Sequence, residues 1–226
     1  MTNESILILL AAGFLGGVAN SMAGGASLVT FPAMMAAGLA PIPANASNTV
    51  ALIFGNLMGA WTERKQLPPI NRHLWLACGI AVLGGALGAV LLLNTPETVF
   101  VLVVPALIGL ATLIFAFSRN IQTWLANMGG GHGQTAQAVL LFPTSIYGGY
   151  FGAGMGVIFM AVLSATTSWS LRSSNAVKNI LGSLANGAAI VIFVAQGVAS
   201  WPQTLVMMAA CFVGGIVGGK ALGLVS

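Results

Sequence analysis

Charge is scarce in this chain. It has seven lysine or arginine residues and three glutamates among 226 residues, and it has no aspartate. Charged residues make up 4% of the chain and hydrophobic residues 58%, whereas a soluble domain has about 25% charged residues. This composition excludes a soluble globular domain, and the small, scattered net charge of +4 excludes a nucleic-acid-binding surface. The sequence therefore indicates an integral membrane protein.

Side chains that carry redox, metal or catalytic chemistry are equally few. Cys78 and Cys211 lie far apart in apolar segments, where we expect them to pack as small apolar residues rather than to form a disulfide. His73 and His132 lie in loops and lack the spacing of metal ligands. We therefore expect no metal site, no cofactor and no enzyme activity.

Apolar runs fill most of the chain. A helix needs about 20 residues to cross a hydrocarbon core roughly 30 Å thick. The sequence predicts an all-α polytopic membrane protein with about seven membrane segments, at 5–38, 43–64, 73–93, 97–118, 136–168, 173–195 and 202–224. The first and fifth segments are interrupted, at "NSMAGGAS" and "GGYFGAGMG".

The two halves of the chain are related. A shift of 130 residues pairs polar residues without gaps: Asn45 with Asn175, Asn56 with Asn186, and Gln66 with Gln196. The sequence thus predicts a tandem repeat, as in many transporters, with repeat 1 at 1–118, an inter-repeat loop at 119–135 and repeat 2 at 136–226. On this register an eighth segment is expected near 227–248, after the last residue of the sequence.

Charge indicates how the repeats are oriented. The loop at 62–73 holds Arg64, Lys65 and Arg72 and should be cytoplasmic, whereas its repeat partner at 196–202 has no charge. The repeats are therefore predicted to be inverted, which requires an odd number of crossings in each. Four segments satisfy this only if the first and fifth are broken hairpins that enter and leave on one side. The alternative is full, kinked crossings and parallel repeats.

Segments 2 and 6 each carry a polar stripe. Residues three and four apart share one helix face, and the stripes so defined are Asn45, Asn48 and Asn56 in segment 2, and Asn175, Lys178, Asn179 and Asn186 in segment 6. Amides are costly in lipid, so these stripes should face protein or a wet cavity. The alternative is structural: the asparagines join helices and Lys178 extends towards the membrane surface near Arg172.

The breaks in segments 1 and 5 complete a candidate binding site. A helix that begins inside the membrane presents unpaired N–H groups and the positive end of its dipole, and glycine lets an anion approach that backbone. The candidates are Gly24, Gly25 and Ser27 in the first break, and Gly154 and Gly156 in the second. Together with the two stripes they predict a site for a small anion between the repeats. The glycines at 84, 85 and 88 and their partners at 214, 215 and 218 are expected to serve helix packing instead.

Several motifs resemble the sulfite exporter TauE/SafE family of membrane permeases. They are "GGVANSMAGGASLVTFPAMMAAGLAPIPANASNTVAL" in repeat 1, and "GGYFGAGMGVIFMAVL" and "SNAVKNILGSLANGAA" in repeat 2. The resemblance implies a multi-pass carrier of the bacterial inner membrane, usually with eight segments, for sulfite or small organosulfur and carboxylate anions. Ala26 departs from the family, since many members have a third glycine there.

The sequence thus predicts a permease that exports small anions such as sulfite or sulfoacetate. Its expected partners are the anion and the lipid bilayer, without nucleic acid, and its oligomeric state is left open. An anion-conducting channel is the alternative, because the same donors could line an open path. The three glutamates stand near segment ends, so the usual intramembrane carboxylate proton relay is missing, and export is expected to follow the membrane potential rather than a proton gradient.

Overall fold

We describe the fold from a computed structural model of the chain. It describes residues 1–23, 25–118, 120, 121, 123 and 134–225, and it leaves out the side chains of residues 21–23, 56, 134 and 219–225. Gly24, Arg119 and His132 and most of the predicted inter-repeat loop, as well as the side chain of Asn56, therefore lie outside the described part of the chain.

The described residues form nine α-helices and no strand, which confirms an all-α polytopic membrane protein. The helices are α1 (Asn3–Ala23), α2 (Ser27–Ala36), α3 (Pro41–Thr62), α4 (Arg72–Asn94), α5 (Glu97–Ala116), α6 (Gln134–Tyr150), α7 (Met155–Thr166), α8 (Leu171–Ala195) and α9 (Trp201–Val225). A short 3-10 turn at Arg64–Gln66 follows α3. Five helices, α1, α4, α5, α8 and α9, are long and apolar enough to cross a membrane.

Local sequence signals explain where the crossing helices begin and end. The side chains of Asn71 and Ser170 accept hydrogen bonds from Leu74 N and Ser173 N, so they cap the first turns of α4 and α8. After α8 the chain turns through Gly197, whose positive φ of 65° suits glycine. These polar caps lie at helix ends, so the long apolar stretches between them remain uninterrupted.

The first predicted segment is a hairpin of α1 and α2. Ser5 Oγ, near the start of α1, donates to the carbonyl oxygen of Ala37, at 3.4 Å, just after α2 ends. A continuous helix would separate these residues by about 48 Å along its axis. Farther along the pair, a Cβ on Gly16 would overlap the methyl group of Thr30. The predicted break and return of segment 1 are therefore confirmed.

The fifth predicted segment is also broken, into α6 and α7. The turn between them uses Gly152 and Gly154, whose φ angles are 77° and 75°, values that L side chains rarely adopt. A Cβ on Gly148 in α6 would overlap the side chain of Met155, the first residue of α7, so the chain reverses here. The hydroxyl of Tyr147 donates to the carbonyl of Ala153 at 2.6 Å and fastens the turn.

Helices α3 and α8, which carry the polar stripes, run antiparallel. The end of α3 meets the beginning of α8, because Asn179 Nδ2 donates to Glu63 Oε2 at 2.8 Å. The beginning of α3 meets the chain that follows α8, because Ser200 N donates to Ser47 Oγ at 2.8 Å. In inverted repeats the corresponding helices run antiparallel, whereas in parallel repeats they run in the same direction. The arrangement of α3 and α8 is that of inverted repeats. The repeat boundaries at 1–118 and 136–226 stay a prediction.

Glycines allow the other helices to approach closely. Gly85 in α4 faces the backbone of Ala185 in α8, and Gly88 faces the carbonyl of Ile146 in α6, with no room for a Cβ at either position. At the opposite side of the bundle, Gly214 in α9 lies in the same way against the carbonyl of Phe14 in α1. The interpretation of these glycines as packing residues is confirmed.

Candidate functional site at the seam between α3 and α8

We call the contact between the polar faces of α3 and α8 the α3–α8 seam, with residues 45–63 on one side and 175–186 on the other. Several polar side chains in the seam are buried: Asn45, Ser47, Asn48 and Asn186 are each less than 10% exposed. Both stripes thus turn towards protein, which agrees with the high cost of exposing amides to lipid. Because the two helices are antiparallel, the C-terminal end of the α3 stripe lies beside the N-terminal end of the α8 stripe.

Lys178 lies at one end of the seam in a network of amides. Its amine donates to Asn175 Oδ1 at 2.6 Å. Asn175 in turn donates through Nδ2 to Glu63 Oε1, and Asn179 donates to the second oxygen, Oε2, at 2.8 Å. The two amides stand one helical turn apart on α8 and each takes one carboxylate oxygen. The result is a half-buried cluster of one cation, one anion and two amides.

The stem of Lys178 lies against the beginning of α7. A Cβ on Gly156 would sit 3.7 Å from Lys178 Cδ, which is an ordinary van der Waals distance, so the two residues are neighbours. The lysine amine is hydrogen-bonded to Asn175 within the cluster. Lys178 of the segment 6 stripe and Gly156 after the second break therefore lie close together; their role in a site stays a prediction.

The contact of a carboxylate with the stripe of α8 was not predicted from the sequence. Glu63 does follow the end of α3, as its place in the sequence indicates, but its side chain reaches across the seam to Asn175 and Asn179. The sequence offered no signal for this contact, because 112 residues separate Glu63 from Asn175 and only the antiparallel packing joins them. Export driven by the membrane potential stays a prediction.

A second polar group lies where the chain breaks between α6 and α7. Asn45 Nδ2 donates to the carbonyl oxygen of Tyr150, the last residue of α6, at 2.9 Å. Asn186 Oδ1 would be 3.9 Å from a Cβ on Gly152, in the turn itself. Within the described part of the chain, the Oδ1 atoms of Asn45, Asn48 and Asn186 are buried without a hydrogen-bond partner. Buried amide oxygens normally have partners, so a ligand or bound water fits this position.

The first break differs from the second. The space where a Cβ of Gly25 would project is filled by the ring of Phe115 in α5, with the nearest ring atom at 2.8 Å. Thr30 is buried and its hydroxyl donates to the carbonyl of Ala26 within its own helix. Ser27 begins α2 and is only partly buried. The described residues of this break are thus packed against protein and do not join the Lys178 cluster.

The donors of the Lys178 cluster are of the kind that bind oxyanions. Within the ranges that the structure describes, no three His, Cys, Asp or Glu side chains come together as metal ligands. The donors at the seam are a lysine amine and two amide N–H groups, which bind oxygen atoms of carboxylate, sulfite or sulfonate. Charge-assisted hydrogen bonds of this kind are about twice as strong as neutral ones.

Comparison with known proteins agrees with this description. The family model for "Sulfite exporter TauE/SafE" matches residues 9–226. A "Probable membrane transporter protein" of Haemophilus influenzae is 26% identical over 223 residues, covering 96% of this chain and 85% of that protein. "Probable membrane transporter protein ORF9" of Sinorhizobium is 26% identical over 222 residues, and "Probable membrane transporter protein YfcA" of Escherichia coli K12 is 24% identical over 221; they are covered over 82% and 79% of their lengths. No solved structure matches the chain.

Proposed function

Because the chain belongs to the sulfite exporter TauE/SafE family, and is therefore a multi-pass membrane transporter, we propose that it exports small anions across the bacterial inner membrane. The substrates we propose are sulfite, sulfoacetate or related organosulfur and carboxylate anions. They share a compact charged group with two or more oxygens. The proposed binding site is the α3–α8 seam together with the beginning of α7.

The observation that carries this proposal is the cluster around Lys178. A lysine inside a membrane-spanning helix is costly and usually functional, since lipid cannot solvate its charge. Here the amine stands beside two amide donors, Asn175 and Asn179, on the same face of α8. An anion at this position would meet one positive charge and two N–H groups, which is the chemistry of an oxyanion site. The remaining candidates in the site are Gly154 and Gly156 at the second break and Asn45, Asn48 and Asn186 along the seam. Gly24, Gly25 and Ser27 at the first break, and Asn56 in α3, are proposed only as repeat-related counterparts of these residues.

We propose a carrier, with an anion channel as the alternative. Glu63 joins the two helices at one end of the seam, and Ser47 contacts Ser200 at the other. A channel needs a path open at both ends at once, whereas a carrier opens one end at a time. A carrier held closed at both ends would have such contacts, and counterflow of labelled anion distinguishes it from a channel.

A ligand-stabilisation screen tests the substrate class. The purified protein would be heated with sulfite, sulfate, thiosulfate, sulfoacetate or simple carboxylates, and with chloride at matched ionic strength. A ligand that binds only the folded state raises the melting temperature, and at one hundred times its dissociation constant it adds about 2.7 kcal/mol to stability. We expect sulfite or a related oxyanion to do so. Stabilisation by none of these anions, or equal stabilisation by chloride, would contradict the proposal.

A further inference from the structure

Glu63 occupies the donors that a substrate anion would need. Asn179 Nδ2 donates to Oε2 at 2.8 Å and Asn175 Nδ2 donates to Oε1, so each carboxylate oxygen takes one amide. A sulfite or carboxylate anion is negatively charged, like the Glu63 carboxylate, and its oxygens have a similar spacing. It would seek the same two N–H groups and the same lysine. Each amide carries a second N–H, but two negative charges at the same pair of donors would repel each other, so a bound substrate anion disfavours Glu63 there.

The place of Glu63 in the fold would let its side chain leave. Glu63 is the residue that ends α3, and the exposed turn Arg64–Gln66 follows it at once. The last carbonyls of a helix carry partial negative charge, so a carboxylate at this end is repelled by its own helix and held by donors of α8. Once displaced, it would reach water and the exposed Lys65 at the end of the bundle.

We propose that Glu63 is a tethered competitor of the substrate. Without substrate it binds Asn175 and Asn179 and balances the charge of Lys178; a substrate anion binds by displacing it. This inference rests on the proposed function, because it concerns the same donors. The exchange keeps Lys178 beside a negative charge in both states, which avoids an unpaired buried charge.

Glu63→Gln tests the proposal, because glutamine has nearly the same shape without the charge. Isothermal titration of the full chain in detergent would use sodium sulfite as the probe. If the donors are free for only about a tenth of the time in the wild type, removing the competitor lowers the sulfite Kd about tenfold. Glu97→Gln is the matched control, since Glu97 is an exposed glutamate in the first turn of α5; its Kd should equal that of the wild type.

The outcomes separate the inference from the proposed function. A lower Kd in Glu63→Gln and an unchanged one in Glu97→Gln support the competitor. An unchanged or higher Kd in Glu63→Gln, with sulfite still bound by the wild type, overturns it and leaves the anion site standing. Absence of sulfite binding in the wild type and in Glu63→Gln alike overturns both. If Glu63→Gln does not fold, Glu63→Asp is the variant to measure. Aspartate keeps the charge but is one methylene too short to reach both amides, so the sulfite Kd should also fall. An unchanged sulfite Kd in Glu63→Asp overturns the proposal.

Discussion

The backbone N–H of Ser200 donates a hydrogen bond to Oγ of Ser47, and the two atoms are 2.8 Å apart. This contact joins the beginning of α3 to the loop that follows α8, while Glu63 contacts Asn179 at the other end of the same two helices. The loops that follow α3 and α8 therefore lie at opposite ends of the bundle. Since Gln66 and Gln196 occupy these loops, they should lie on opposite sides of the membrane.

Cysteine labelling tests this topology. Single cysteines at Gln66 and Gln196 would be placed in a background in which both native cysteines are alanine; both sites are exposed. We expect an impermeant thiol reagent to label Gln66→Cys only from the cytoplasmic side, because its loop carries Arg64 and Lys65, and Gln196→Cys only from the outside. Labelling of both from one side would show that the antiparallel arrangement is wrong.

Much of this topology could be predicted from the sequence, because each step rests on a local signal. Apolar length predicts the crossing helices, and the α4 prediction at 73–93 is within one residue of Arg72–Asn94. Glycine clusters predict the two breaks, since Gly152 and Gly154 supply the positive φ angles that the second one uses. The charge difference between two corresponding loops predicts that the repeats are inverted. None of these inferences needs a contact between distant residues.

The close contact of α4 with α8 gives a stability prediction. A Cβ on Gly85 would overlap the backbone of Ala185, so Gly85→Ala must push the helices apart and should destabilise the protein by about 1–3 kcal/mol. Gly79 lies on the same helix with nothing within 4 Å of its Cβ position. Gly79→Ala should therefore leave stability unchanged or raise it by up to about 1 kcal/mol. Thermal unfolding in detergent would measure both, and equal effects would refute the packing assignment.

The hydrogen bond between Asn45 and Tyr150 gives a second stability prediction. Asn45 is 1% exposed, and its Nδ2 donates to the Tyr150 carbonyl between two helices. Asn45→Ala leaves a carbonyl buried without that donor and should cost about 1–3 kcal/mol. Asn94 makes the same kind of bond, to the carbonyl of Val90, but within its own helix and at an exposed position. Asn94→Ala should change stability by less than about 0.5 kcal/mol. A loss at Asn94 as large as that at Asn45 would count against a special role for the interhelical bond.

The site was less predictable than the fold. The helical period placed Asn175, Lys178 and Asn179 on one face, and the structure has them there. The partner of that face could not be predicted, because Glu63 belongs to a different helix and meets the stripe only through the antiparallel crossing. The first break shows the same limit: the sequence treats Gly25 as open to a ligand, but Phe115 from α5 fills that space. Local patterns predict which residues share a face and leave open what covers it.

Lys178 should dominate anion affinity. Lys178→Gln removes a charge-assisted bond worth about 1.5–3 kcal/mol, so the sulfite Kd should rise about 10- to 100-fold. Lys65→Gln removes the same charge from an exposed turn and should change the Kd less than twofold, because water screens exposed charges. Isothermal titration at fixed ionic strength would compare the two variants. Equal Kd values for Lys178→Gln and the wild type would remove Lys178 from the site.

Counterflow in proteoliposomes tests the central claim most directly. Vesicles containing the full chain would be loaded with unlabelled sulfite and diluted into a trace of radiolabelled sulfite, with the membrane potential clamped to zero. A carrier that exchanges sulfite through the α3–α8 seam accumulates label transiently above the external concentration. We expect this overshoot in the wild type and in Lys65→Gln, and its loss in Lys178→Gln. Label that only equilibrates in the wild type, or an undiminished overshoot in Lys178→Gln, would contradict anion transport through this seam.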